Sequence, residues 1–197
     1  MLNVAVVGLG WWGKQIVSSL KDSKTINVVR GVDINLDSVR DFANTHGLKI
    51  DNSYDQVLID PNIDAVILVT PHLLHEEQVL AAAEANKHIF CEKPFALNAE
   101  SARVMVKSCK EKGICLGIGH ERRFEPALEA IKTNLDSGDL GTLIHIECNW
   151  SHNNFTKNVA SGWRKDPKQA PAGTLTALGV HITDYFQSIA GPVEKLR

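Results

Sequence analysis

The chain has 197 residues, a hydrophobic fraction of 44% and a formal charge of −2. That composition suits a protein able to bury a core, and it gives no electrostatic case for nucleic acid or an anionic membrane. No apolar run approaches the roughly 20 residues that span a bilayer, and Met1-Leu2-Asn3-Val4 carries no basic leader, so a cytoplasmic protein without membrane contact is expected.

Leu2–Val7 is an apolar, β-rich run that leads at once into Gly8-Leu9-Gly10-Trp11-Trp12-Gly13. Lys14 to Leu20 follows with the spacing of an amphipathic helix. Strand, glycine turn and helix form the context in which G-x-G-x-x-G binds a dinucleotide. The first glycine permits the tight turn, the second lets backbone N–H groups approach a pyrophosphate, and the third lets helix and strand pack closely. The helix N-terminus adds partial positive charge for the phosphates.

A second strand, Ile26–Val32, ends on Asp33. A carboxylate there accepts hydrogen bonds from ribose hydroxyls and repels a 2′-phosphate, and Ile34-Asn35-Leu36 offers no cation to cradle that phosphate. NAD is therefore favoured over NADP. The bland alternative, Asp33 as a cap for a helix over Ser38 to Asn44, is less natural than a cap from Asn35 or Asp37.

Further along, Asp64 to Thr70 reads as a buried strand, Val79 to Ala85 as a helix and Lys87 to Cys91 as a strand. Ala99 to Lys112 reads as a helix and Ile114 to Ile118 as another strand. The alternation predicts an α/β fold with a doubly wound parallel (Rossmann) sheet over residues 1–119. Thr70-Pro71-His72 and Glu92-Lys93-Pro94 then fall at the carboxyl ends of strands, on the rim that carries Gly8 to Gly13. Pro94 lacks an N–H and keeps Lys93 extended, so the chain leaves the sheet there. Cys91, Cys109, Cys115 and Cys148 show no C-x-x-C pairing and no metal-ligand spacing. Free thiols, three of them in apolar surroundings, and no metal are expected.

After Gly119 the pattern changes to the start of an α+β domain over residues 120–197. His120 to Phe124 leads into a helix over Pro126 to Leu135, then a turn at Gly138 to Gly141. Leu143 to Trp150 alternates like a half-exposed strand, Gly162 to Gly173 is loop-like, and Thr174 to Ala190 reads as a helix stopped by Gly191-Pro192. Val193 to Arg197 looks like the opening of another strand. One strand and two helices close no core, so a truncated chain, or strands borrowed from a partner, is expected.

With these pieces placed, the chain resembles the Gfo/Idh/MocA family of NAD(P)-dependent oxidoreductases, which act mostly on sugars, polyols and nucleotide sugars. The resemblance rests on Gly8-x-Gly10-x-x-Gly13 with Asp33, on Thr70-Pro71-x-x-x-His75 and on Glu92-Lys93-Pro94. It rests also on Arg123-Phe124-x-Pro126 and Gly179-x-His181-x-x-Asp184. It implies a second domain built on a large open sheet that shapes the substrate pocket and makes homo-oligomer contacts. It implies that Lys93 lies near the nicotinamide and binds the substrate hydroxyl, that His181 is the acid/base and that Asp184 is a substrate-side carboxylate. Cofactor contacts fall to the glycine turn with Trp11 and Trp12, to Asp33, Thr70, Pro71 and Glu92, to His72 beside the ribose and to His75 beside the cofactor.

The family pattern has an aspartate four residues before the histidine, where this chain has Ala177. An aspartate there would share a helical face with His181 and raise its proton affinity. Asp184 is a candidate to orient the ring instead, and Lys93, its pKa lowered by the positive nicotinamide, is a second candidate base. Arg122, Arg123, Trp163 and Arg164 suit a polar or anionic substrate, though ordinary salt bridges or cation–π contacts explain each of them equally well. The leading expectation is an NAD-dependent dehydrogenase or reductase for a sugar or polyol. The alternatives are an NAD(H)-binding sensor without turnover and, more distantly, a protein-binding module using the edge of Leu143 to Trp150.

Overall fold

The computed structural model describes residues 1–151, 166–168, 171–173 and 175–195, which divide into two units, Met1–Gly119 and His120–Arg197. The first unit begins with β1, Leu2–Val7, whose last four residues are buried on both faces. Val4 and Val6 point into one cluster with Val17 of α1 (Trp11–Leu20) and with Val39 and Ala43 of α2 (Leu36–His46). Ala5 and Val7 point into another, with Val79, Ala82 and Ala83 of α4 (His75–Glu84) and with Met105 and Cys109 of α5 (Ala99–Glu111). A strand apolar on both faces fits only between two helical layers. Each such valine contributes roughly 1.5–3 kcal/mol by burial.

The remaining elements are β2 (Ile26–Val32), β3 (Lys49–Asp51), α3 (Asp55–Leu58), β4 (Ala65–Leu68), β5 (His88–Cys91) and β6 (Leu116–Ile118). The six strands pair in parallel in the order β3-β2-β1-β4-β5-β6. That is the doubly wound dinucleotide-binding order, with its switch point between β1 and β4. Asn35 caps α2 by accepting from Ser38 N–H at 3.2 Å, and Gly47 (φ 62°) closes it. The opposite rim is stapled by Lys87, whose buried ammonium donates to the carbonyls of Asp60 and Ile63 at 2.7 Å each.

The second unit differs from expectation at several points. A 3-10 turn, Glu121–Phe124, precedes α6 (Pro126–Asp136), and Tyr185 Oη donates to Leu128 carbonyl at 2.8 Å to tie α6 to α7 (Val180–Ala190). The expected helix over 174–190 is divided. Leu175–Gly179 is a π-helical turn and only Val180–Ala190 is α-helical. The turn packs the exposed Leu175 side chain where a Cβ at position 179 would lie, so a larger residue there would require that side chain to move. Leu143 to Trp150 forms no strand, and Ile144 is 92% exposed. Alternation is not enough, because a strand also needs a neighbour for its N–H and C=O groups, and none pairs with it among the described residues. Residues 193–195 are not strand either. Cys91 and Cys109 are buried, whereas Cys115 and Cys148 are exposed, so two thiols rather than three have apolar surroundings. No helix among the described residues is long and apolar enough to cross a membrane.

Candidate functional site

In the first unit the site is built at the carboxyl ends of β1, β2, β4 and β5. Gly8 leaves β1 at φ 95°, and a Cβ there would meet the carbonyl oxygen of Val69 at 2.7 Å. Gly13 sits so close to Gly8 that its Cβ would fall 1.9 Å from the Gly8 oxygen. Gly10, at the N-cap of α1, has no protein atom within 4 Å of a Cβ position. The three glycines thus divide into a turn, an open face and a close packing contact, as a pyrophosphate seat requires. The first turn of α1 contains no acidic residue to oppose an anion. Trp11 is exposed and stacks on the half-buried Trp12 at 5.5 Å between ring centroids.

Asp33 follows β2. Its Oδ2 accepts from Leu9 N–H and its Oδ1 from Asn35 N–H, both at 2.9 Å. The carboxylate therefore fixes the glycine turn as well as facing outward, and each oxygen keeps a second lone pair for a ribose hydroxyl. Ile34 beside it is fully exposed.

After β4, Thr70 Oγ1 donates to Gln78 Oε1 at 2.5 Å, Pro71 opens the turn, and the half-buried His72 ring lies 5.8 Å from that of His75. His75 departs from expectation. It has no exposed surface, and its Nδ1 and Nε2 lie 3.0 Å from the carbonyl oxygens of Pro94 and Thr70. A ring so enclosed offers no face to a cofactor; it braces the segment after β4 against the segment after β5. Two carbonyl partners favour the imidazolium, but burial is the larger effect and holds His75 below the ordinary histidine range. Glu92 is buried with its carboxylate against Gly119, where any Cβ would collide with it, and it accepts from the N–H of the half-buried Lys93 at 3.1 Å. Burial pushes the Cys91 thiol up, which leaves it inert beside this chemistry.

In the second unit His181 is 4% exposed, with Glu121 Oε1 3.9 Å from its Nε2. Asp184 is held instead by Arg123, Nε to Oδ2 at 2.6 Å and Nη2 to Oδ1 at 2.5 Å, which raises the Arg123 pKa. Both residues expected to face substrate are thus engaged with each other, so that they present a paired fork. His120 Nε2 lies 3.7 Å from Asp184 Oδ1, and its ring meets that of His181 edge-on at 6.3 Å. The Arg122 guanidinium lies 5.4 Å from the Trp150 ring and pairs with Glu125. Trp163 and Arg164 lie outside the described residues. The sequence reading gave no role to His120 or Glu121, the first residues of the second unit.

Residues 2–120 match the oxidoreductase family with an NAD-binding Rossmann fold, and residues 128–197 match that family's C-terminal domain. The chain belongs to the Gfo/Idh/MocA family. One relative is the scyllo-inositol 2-dehydrogenase (NAD(+)) of Bacillus subtilis (strain 168), 36% identical over 74% of this chain and 43% of its own length. Another is the 1,5-anhydro-D-fructose reductase of Ensifer adhaerens, 35% identical over 75% of this chain and 44% of its own length. A crystal structure described as a putative NADPH-dependent oxidoreductase from Desulfitobacterium hafniense has a TM-score of 0.90 at 29% identity, covering 98% of this chain and 56% of that one. The chain spans about half the length of the curated relatives it matches.

Proposed function

We propose that the protein transfers a hydride between NAD(H) and a secondary alcohol or ketone of a sugar, polyol or related cyclic substrate. The observation that carries this reading is the rim of the first unit. The open face at Gly10 on a helix N-terminus, Asp33 at the end of β2 and Lys93 past β5 all lie on one edge of a sheet in dinucleotide-binding order. Residues 1–119 serve as the dinucleotide-binding domain and 120–197 as part of the substrate domain. NAD is the cofactor rather than NADP, because Asp33 repels a 2′-phosphate and the exposed Ile34 provides no charge to bind one. A relative named for NAD(+) and a neighbour described as NADPH-dependent leave that choice to Asp33 and Ile34.

Bound NAD+ would accept the hydride from the carbinol carbon. The chain's own task is the hydroxyl proton, which Lys93 and His181 share, with Lys93 binding the hydroxyl and His181 completing proton removal. Asp184 and Arg123 act on the substrate side as a fixed pair that orients hydroxyl groups. Self-association through the second domain is part of the same proposal.

The second reading is an NAD(H)-binding protein without turnover, and Ala177 favours it by leaving the helical turn before His181 without a carboxylate. The test is a panel of cyclic polyols and sugars, offered with NAD+ and NADP+ while NADH or NADPH absorbance is followed. Turnover of at least one member with NAD+ preferred is expected. Firm NADH binding with no turnover across the panel contradicts the dehydrogenase reading and favours the second.

A further inference from the structure

We infer that Glu121 is the positioning residue for His181, supplying from the 3-10 turn a carboxylate that the π-helical turn before the histidine's helix, with alanine at 177, does not. The inference rests on the proposed base function of His181 for its use, but not for its geometry. His181 is nearly fully buried, and an imidazole in such a place resists protonation unless an anion stands near it. The π-helical turn that precedes this helix, Leu175–Gly179, contains no carboxylate side chain. Glu121 Oε1 stands 3.9 Å from His181 Nε2, beyond hydrogen-bond range but close enough for a charge to act. Its second oxygen, Oε2, is buried and has no hydrogen-bond partner among the described residues. A small rotation of the carboxylate would turn the charge contact into a hydrogen bond.

The other charges near this pair do not cancel it. Arg122 Nε is 3.6 Å from Glu121 Oε1, but the same guanidinium also pairs with Glu125, so its charge is divided. Asp184, on the helix of His181, is held in the fork of Arg123, and His120 stands against Asp184 with its ring edge-on to His181. Trp150, tilted at 6.4 Å between ring centroids, adds an uncharged wall. Glu121 is therefore the carboxylate in this cluster that bears on the His181 ring without an Arg fork closed around it. It acts through His181, stabilising the imidazolium that forms when the substrate proton is taken.

The experiment is a titration of the His181 ring, followed by heteronuclear NMR of histidine ring carbons in the whole protein without substrate. Wild type is compared with Glu121→Gln and with the double variant Glu121→Gln/Ala177→Asp. Glutamine keeps the shape of the side chain and removes its charge, at a site 41% exposed, so the fold is retained. The His181 midpoint is expected to fall by about half a unit to one unit in Glu121→Gln, since a facing anion at this range is a moderate effect. The aspartate at 177 should raise it again. In a pH–rate profile the acid limb of kcat should move down by the same amount with KM unchanged, because a base works in its neutral form. A His181 midpoint that does not move in Glu121→Gln overturns the pairing. A midpoint that moves in a protein with no turnover on any substrate leaves the pairing standing and removes only the dehydrogenase reading.

Discussion

Two residues of the glycine turn, three positions apart, answer different physical demands. A Cβ at Gly10 meets no protein atom, so Gly10→Ala should unfold at the wild-type temperature and yet bind NAD+ at least about tenfold more weakly, the added methyl occupying the pyrophosphate's space. A Cβ at Gly13 meets the Gly8 oxygen at 1.9 Å, so Gly13→Ala should lower the unfolding temperature together with the affinity. Calorimetry on both variants checks the contrast. Asp33 is a third case, since its carboxylate holds Leu9 and Asn35 N–H and is the group proposed to select the ribose. Losing charged hydrogen bonds of roughly 1.5–3 kcal/mol each should weaken NAD+ binding by Asp33→Ala about tenfold or more. NADP+ binding should change less, because a repulsion disappears at the same time; titration calorimetry with both dinucleotides reads the difference. The sequence singled out Gly10, Gly13 and Asp33 because each stands within one turn of a strand end, but the hold of Asp33 on Leu9 and Asn35 N–H appears only once the chain is folded.

At the scale of elements, the brace between the ends of β4 and β5 rests on His75. Burial holds its ring neutral below the ordinary midpoint of about 6.5. Between its folded midpoint and that value the unfolded chain binds more protons than the folded one, so stability rises with pH and is lost as pH falls below about 6.5. Thermal unfolding followed from about pH 7 to pH 5 should show a declining midpoint. His75→Gln should start lower at neutral pH, by roughly 1–3 kcal/mol for a carbonyl left without its donor, and show a shallower decline. A wild-type midpoint flat across that range would contradict the neutral assignment. The sequence pointed to His75 as a cofactor neighbour, because spacing places a residue near a rim without saying whether it lies on or beneath it. β3 and α3 were missed for another reason: three and four residues are too short to show periodicity, and pairing with β2 rather than local pattern makes β3 a strand.

For the whole molecule, the doubly wound parallel sheet followed from helix and strand alternation, since a strand buried on both faces has few alternatives, while the strand order came only with the fold. The second unit was harder to read. Leu143 to Trp150 carries the alternation of a strand without a partner among the described residues, and pairing is not a property of a segment alone. The proximity of Glu121 to His181 joins residues far apart along the chain, with no local pattern to announce it. The proposed dehydrogenase depends on proton transfer by Lys93 with NAD+ bound. Its most direct test is the rate of NADH formation by wild type and Lys93→Ala on the best substrate of the polyol and sugar panel, with NAD+ affinity measured alongside. The prediction is a fall of about a hundredfold or more in kcat, the usual contribution of a positioned acid or base, with NAD+ affinity nearly unchanged. An unaltered kcat in Lys93→Ala would contradict it.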